Sequence, residues 1–170
     1  RALDIDTPIE IHRGTTTVIL GQSGSGKSTF LSLLGLMDDA DEGSHIEYHP
    51  TDNLSNNPNG LRYDKLSSRQ KKELRKKEFG VAFQDGHLIG HIDTRDNIKL
   101  PMLIAGASQN DADTVCNSLI DNLDLNRRKD SRPKELSGGE YQRVAVARAM
   151  AHNSSTLSCS ALYTPTIVLE

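Results

Sequence analysis

Apolar and polar residues alternate from Leu3 to Ile11, the pattern of a half-buried strand, and His12-Arg13-Gly14 then predicts a turn. Thr15 to Leu20 is a β-branched run without alternation, which predicts a strand buried on both faces. A Gly/Ser loop follows, and Ser28 to Met37 is apolar enough for a buried helix. His45–Tyr48 is a short strand candidate. Residues 50–60 are almost all turn-formers and predict a surface loop. Ser67 to Glu78 is a charged helix with Ser67 or Ser68 as its N-cap, and Phe79 to Phe83 is a second buried strand. Helical periodicity runs from Thr94 to Leu123, interrupted at Pro101 and Gly106. Pro133 to Gly139 reads as a loop, and Glu140 to Ala151 as an Ala-rich helix. Strands alternating with helices, without an internal repeat, predict an α/β fold with a parallel sheet.

Composition changes this picture little. With 35% hydrophobic residues, 4% aromatic and no Trp, 170 residues support one lean core, or one core with a small subdomain. Lys+Arg 20 against Asp+Glu 23 gives a net charge of −3, which argues against a nucleic-acid partner held by a global field. Cys116 and Cys159 stand in no metal or disulfide spacing, so a reducing compartment fits. No apolar run reaches the roughly 18–20 residues of a membrane span, and no signal peptide opens the chain; a soluble protein is expected. Arg1 in place of Met, and an apolar run just before Glu170, read as the cut ends of a longer protein.

Candidate chemistry begins with Gly21-Gln22-Ser23-Gly24-Ser25-Gly26-Lys27-Ser28, which fits G-x-x-x-x-G-K-[ST] without a mismatch between a predicted strand and a predicted helix. Glycines permit positive φ, so successive backbone N–H groups can curl around a polyphosphate, and the helix start adds partial positive charge. Lys27 is placed to reach the β/γ-phosphates and the Ser28 hydroxyl to ligate Mg²⁺. A plain glycine turn is the bland reading, and the strand–loop–helix context outweighs it.

A second motif, Leu136-Ser137-Gly138-Gly139-Glu140, lies 110 residues beyond the P-loop and feeds the helix Tyr141-Gln142-Arg143-Val144-Ala145-Val146-Ala147-Arg148-Ala149-Met150. Alone it is a capped structural helix or an anion site. Paired with the P-loop, it resembles the signature of ATP-binding-cassette (ABC) transporter nucleotide-binding domains. Gln84, after Gly80-Val81-Ala82-Phe83, falls where that family carries its Q-loop glutamine. Leu88-Ile89 and Asp96 to Pro101 are similar to the bacterial lipoprotein-release and macrolide-export subgroup. The resemblance covers nearly all of residues 10–152.

The resemblance implies a P-loop NTPase fold with a parallel core sheet, N-terminal antiparallel strands and a helical subdomain, C-terminally truncated here. It divides the chain into residues 1–90 (ATP-binding core), 91–150 (helical subdomain with the signature) and 151–170 (a divergent segment and the Walker B strand). It also implies that Gly21 to Ser28, with Thr29, cradle ATP, and that Ser28 and Gln84 serve Mg²⁺. Ser137, Gly138, Gly139 and Glu140 are expected to contact the same nucleotide from a second copy in a head-to-tail homodimer. Gln84 and Ser137, the latter in trans, are then the residues acting in catalysis by positioning and electrostatic stabilisation. The implied partner is an integral membrane permease, and the implied location is the cytoplasmic face of the membrane, as a peripheral subunit.

The sequence departs from the family after Asn153. Where the family runs through a hydrophobic strand into Asp-Glu-Pro-Thr, this chain reads Ser154 to Pro165 and then Thr166-Ile167-Val168-Leu169-Glu170. Either Ser154–Thr164 is an insertion and Pro165 to Leu169 is the Walker B strand, or Tyr163-Thr164-Pro165-Thr166 is a degraded acidic motif. Under both readings the catalytic glutamate is missing, and the chain is expected to bind ATP but hydrolyse it poorly. The alternatives to a transporter subunit are a soluble ABC ATPase and a degenerate, non-hydrolysing ATP-binding module. The short insert without heptads and the single cassette favour transport. The cations Arg69, Lys71, Lys72, Arg75, Lys76 and Lys77 read as a solvated helix face paired with Glu73 and Glu78. His87 and His91 lack a third metal ligand, and Met37, Met102 and Met150 read as core fillers.

Overall fold

The computed structural model describes residues 5, 7–12, 15–49, 60–151 and 166–168. They form, in order, α1 (Lys27–Leu34), β1 (Glu47–Tyr48), β2 (Leu61–Arg62), α2 (Ser68–Glu78), β3 (Gly80–Ala82), α3 (Thr94–Ala105), α4 (Gln109–Asn122), α5 (Gly138–Ala151) and β4 (Thr166–Val168). Short 3-10 turns lie at Tyr63–Lys65, Asn126–Arg128 and Pro133–Glu135. The chain divides into two units, Arg1–Glu78 and Phe79–Glu170.

In the first unit, local sequence signals become local structure. Ser67 and Gln70 form a capping box: the Ser67 N–H donates to Gln70 Oε1 (2.9 Å) and the Gln70 N–H to Ser67 Oγ (3.4 Å), so α2 starts where a cap was predicted. β1 and β2 pair antiparallel, Glu47 opposite Arg62 and Tyr48 opposite Leu61. The buried Tyr63 closes this corner by donating its hydroxyl to Leu34 O at the end of α1 (2.9 Å), and burial raises its pKa. The basic face of α2 is partly committed within the unit: Lys71 pairs with Asp39, and Arg75 donates to Leu36 O.

Three expectations for this unit are corrected. The strands predicted at Leu3–Ile11 and Thr15–Leu20 are not formed at the described positions, and Val18 and Leu20 are 71% and 87% exposed. A strand buried on both faces needs a neighbour on each edge to complete its ladder. Neither of the two described sheets supplies one, and the antiparallel pair is β1/β2 instead. α1 spans eight residues, ends before the predicted Met37, and contains no fully buried side chain. Of the predicted 50–60 loop, all but Gly60 lies outside the described residues.

The second unit holds the larger core. α3, α4 and α5 enclose Ile98, Met102, Ala112, Cys116, Leu119, Ile120, Leu125, Val144, Ala147 and Ala151. Met102 and Met150 fill it as expected. β3 pairs in parallel with β4, Gly80 opposite Thr166 and Ala82 opposite Val168, so the apolar run after Pro165 does form a strand. Residues 152–165, including the expected insertion and Cys159, lie outside the described residues. α5 packs closely on β3, since a Cβ at Gly80 would run into the backbone carbonyl of Ala149.

Two helix boundaries differ from the expected ones. α3 continues through Pro101, which sits inside it at the cost of one ladder donor; Asp93 caps the start of the helix through Asp96 N–H (2.8 Å), and Ile98 and Met102 on either side of the proline pack into the core. Gly106 does stop it, at φ 96°, with Ala107 N–H on Met102 O (3.0 Å) closing a Schellman turn. α5 begins at Gly138, two residues earlier than predicted, since Ser137 rather than a later residue is the cap. Asn97 is fully buried and satisfied: it accepts from Ile89 N–H (2.8 Å) and donates to Ile89 O and Asp93 O (3.2 and 2.9 Å), fixing the segment ahead of α3.

Candidate functional site

The P-loop is built around three glycines, Gly21, Gly24 and Gly26. Gly24 and Gly26 adopt φ 81° and 88°, which only glycine adopts without strain, and Gly26 in that conformation is the N-cap of α1. Gly21 lies against the Ser25 side chain, since a Cβ there would lie 2.5 Å from Ser25 Oγ and the hydroxyl would have to turn away. A turn with Ser25 N–H on Gln22 O (3.2 Å) tightens the loop between them. Lys27 folds back over this turn and donates its ammonium to Gly21 O (2.8 Å) and Gln22 O (3.0 Å), so its charge stays over the loop.

The start of α1 carries no side-chain cap and no acidic residue in its first turn. Its first amides therefore have no partner within the helix and no competing carboxylate. Loop amides, a helix N-terminus and an ammonium are a donor set that fits a polyphosphate. The exposed Ser28 hydroxyl and the side-chain carbonyl of the exposed Gln84 are hard oxygen ligands of the kind Mg²⁺ takes.

In the second unit the signature residues open α5. Ser137 and Glu140 form a reciprocal cap: Ser137 N–H donates to Glu140 Oε2 (2.8 Å) and Glu140 N–H to Ser137 Oγ (3.3 Å). Arg128 Nε adds a second donor to Glu140 Oε1 (2.9 Å). The Ser137 backbone N–H foremost, then Arg128, hold the Glu140 carboxyl at about 2, below its ordinary 4.5. A depressed folded-state pKa means that the ionised cap supports α5 fully above pH 4.5 and loses that support as pH falls toward 2. The melting-temperature gap between the parent and Glu140→Ala is expected to stay level above about pH 5.5 and to shrink below pH 4.5. A gap independent of pH from 5 to 2, followed by circular dichroism, would show that the ionised Glu140 cap does not support α5.

Ser137, Gly138 and Gly139 are all exposed. Gly138 has nothing within 4 Å of a built Cβ, Gly139 only an Arg143 guanidinium nitrogen at 3.7 Å, and neither has a positive φ. Nothing among the described residues requires glycine at either position.

A family model described as ABC transporter matches residues 6–159. The chain belongs to the ABC transporter family. Its fold is that of an ABC ATPase cassette: a dimeric bacterial ABC transporter cassette, MJ0796, superposes with a TM-score of 0.71 at 28% identity over 85% of this chain and 59% of that one. The same cassette in a post-hydrolysis state bound to ADP and Pi gives 0.64 at 28% identity, over 77% and 53%. Among curated proteins, the macrolide export ATP-binding/permease protein MacB of Psychrobacter arcticus is 34% identical over 152 residues, and MacB 1 of Aeromonas hydrophila 36% over 149. These matches cover 89% and 88% of this chain but 21% of each relative, so the chain spans about a fifth of their length.

The structure joins one predicted site residue of this ABC cassette to elements that sequence reading passed over. Gln142 Nε2 donates to Gln84 O (2.8 Å), Tyr141 Oη accepts the Leu88 N–H (3.1 Å), and Arg148 donates to Gly86 O and His87 O (2.5 and 2.8 Å). A sequence signal for two of them exists: Tyr141, Ala145 and Arg148 recur at i, i+4 and i+7, one face of a helix.

Proposed function

We propose that this cassette binds ATP with Mg²⁺ at Gly21 to Thr29 and couples its hydrolysis to an integral membrane permease, at the cytoplasmic face of the membrane. The observation that carries the reading is the P-loop itself, with two positive-φ glycines, a helix start without a side-chain cap and the Lys27 ammonium held over the loop. The permease partner is supported by the macrolide export MacB relatives, whose names join ATP-binding and permease parts in one protein. Ser28 and Gln84 serve Mg²⁺, and two cassettes pair head to tail so that Ser137, Gly138, Gly139 and Glu140 of one meet the nucleotide of the other; the dimeric MJ0796 cassette supports the pairing. Residues 1–90 act as the ATP-binding core, 91–150 as the helical subdomain and 151–170 as the returning strand segment.

Residues 1–170 on their own contain no Asp-Glu pair after Asn153, so this polypeptide is expected to bind ATP and turn it over slowly, since rate follows only what the transition state gains over the ground state. ATP with Mg²⁺ at a hundredfold excess over its dissociation constant stabilises by about 2.7 kcal/mol, or roughly 5–10 °C in melting temperature. Thermal shift beside phosphate release tests this. No shift with ATP would refute the nucleotide reading, and fast turnover lost in Lys27→Ala would refute the slow-hydrolysis part.

A further inference from the structure

From the grip of α5 on the segment that follows Gln84, we infer that Arg148 and Tyr141 are positioning residues for that glutamine. The inference rests on the nucleotide reading above. Gln84 is exposed, and an exposed side chain on a loop is positioned only as well as its backbone. That backbone is held from α5 at four places between residues 84 and 88: Gln84 O by Gln142, Gly86 O and His87 O by Arg148, and Leu88 N–H by Tyr141.

The loop conformation depends on this hold. Gly86 and His87 both adopt positive φ, 63° and 46°, and for a histidine that conformation is strained unless its surroundings fix it. The Arg148 fork takes the carbonyls of these same two residues. A Cβ at Gly86 would run into the Tyr141 ring and lie 3.3 Å from Ala145 Cβ, so the loop is pressed directly on the helix. Ser137 caps the N-terminus of this helix, so the signature serine and the loop of Gln84 are attached to one rigid element, the loop from its first turns at Tyr141 and Gln142 to Arg148 near its end. Displacement of Ser137 therefore carries the loop of Gln84 with it, and Arg148 and Tyr141 transmit that displacement.

The test uses the complete protein with Tyr141→Phe, Arg148→Gln, Arg148→Lys, Gln84→Ala and the Gln84→Ala/Arg148→Gln double variant. Amide exchange over residues 86–89 reads the hold directly and needs no nucleotide. Exchange is expected to quicken roughly two- to tenfold in Tyr141→Phe, the worth of one neutral hydrogen bond, and roughly ten- to a hundredfold in Arg148→Gln. ATP turnover is expected to fall in kcat by a similar factor with KM nearly unchanged, and Arg148→Lys is expected to recover part of the loss. In the Gln84→Ala background, Arg148→Gln is expected to cost nothing further. Unchanged exchange in both single variants, a loss carried by KM, or a full additional loss in the double variant would overturn the inference. Should Arg148→Gln fail to fold, Tyr141→Phe decides alone, since it keeps the ring packed on Gly86. A parent protein that binds no ATP overturns the nucleotide reading, and this inference with it; a parent that turns over ATP normally while the variants leave exchange untouched overturns the inference alone.

Discussion

Lys27→Ala is expected to weaken ATP binding roughly ten- to a hundredfold in the presence of Mg²⁺. The side chain brings the P-loop's ammonium over a turn whose other donors are neutral amides, and charge-assisted hydrogen bonds to phosphate are worth about 1.5–3 kcal/mol. The substitution is clean for structural reasons. Position 27 is the first residue of α1, alanine is the best helix former, and the two lost bonds to Gly21 O and Gln22 O are exposed and local to the loop. Melting without nucleotide is therefore expected to change little, whereas the stabilisation by ATP largely disappears. Titration calorimetry supplies the dissociation constant. A value equal to that of the parent would show that Lys27 does not meet the phosphates and that the P-loop match is only a turn.

What could be read from the sequence follows the range of the interaction that decides each feature. The caps at Ser67, Asp93 and Ser137 each act within three residues, and the P-loop glycines act within its eight, so their motifs predict local geometry. The strand expected at Thr15–Leu20 failed because its β-branched composition says only that it would suit a sheet, not that a neighbour exists. Pro101 was read as a break by propensity alone, whereas packing of Ile98 and Met102 into the core of the second unit carries the helix through it. The hold of α5 on the Gln84 loop joins residues 53 to 62 positions apart. The helix end shows only that Tyr141, Ala145 and Arg148 share a face, and the carbonyls that Arg148 binds belong to backbone, which carries no side-chain signal. Gly80 and Gly86 show the same limit, since their need for glycine comes from Ala149 and Tyr141 far along the chain.

Ser137→Arg is expected to leave ATP binding by the single cassette nearly intact and to remove ATP-driven dimerisation. The geometry of α5 motivates this from an unusual direction. Two successive glycines open the helix, each costing up to about 1 kcal/mol against alanine, and no atom among the described residues crowds either one. Under the proposed pairing, glycines that no described residue crowds leave room for close approach of the nucleotide held by a second copy. An arginine at 137 places a long side chain at that approach, and overpacking of this kind costs about 1–3 kcal/mol or more, a roughly fivefold to more than hundredfold weaker dimer. Arginine also deletes the Ser137 cap, worth about 0.5–2 kcal/mol to α5, so a loss of dimer could be mistaken for a loss of fold. Gly138→Ala separates the two effects. Its Cβ meets nothing within 4 Å among the described residues and its φ is not positive, so the single cassette is expected to melt no lower than the parent while its ATP-driven dimer weakens. Sedimentation velocity with a non-hydrolysable ATP analogue measures both variants beside a melting curve. Dimers as tight as the parent's in Ser137→Arg and Gly138→Ala would place the signature away from any second copy, and the pair of glycines would then need another visitor.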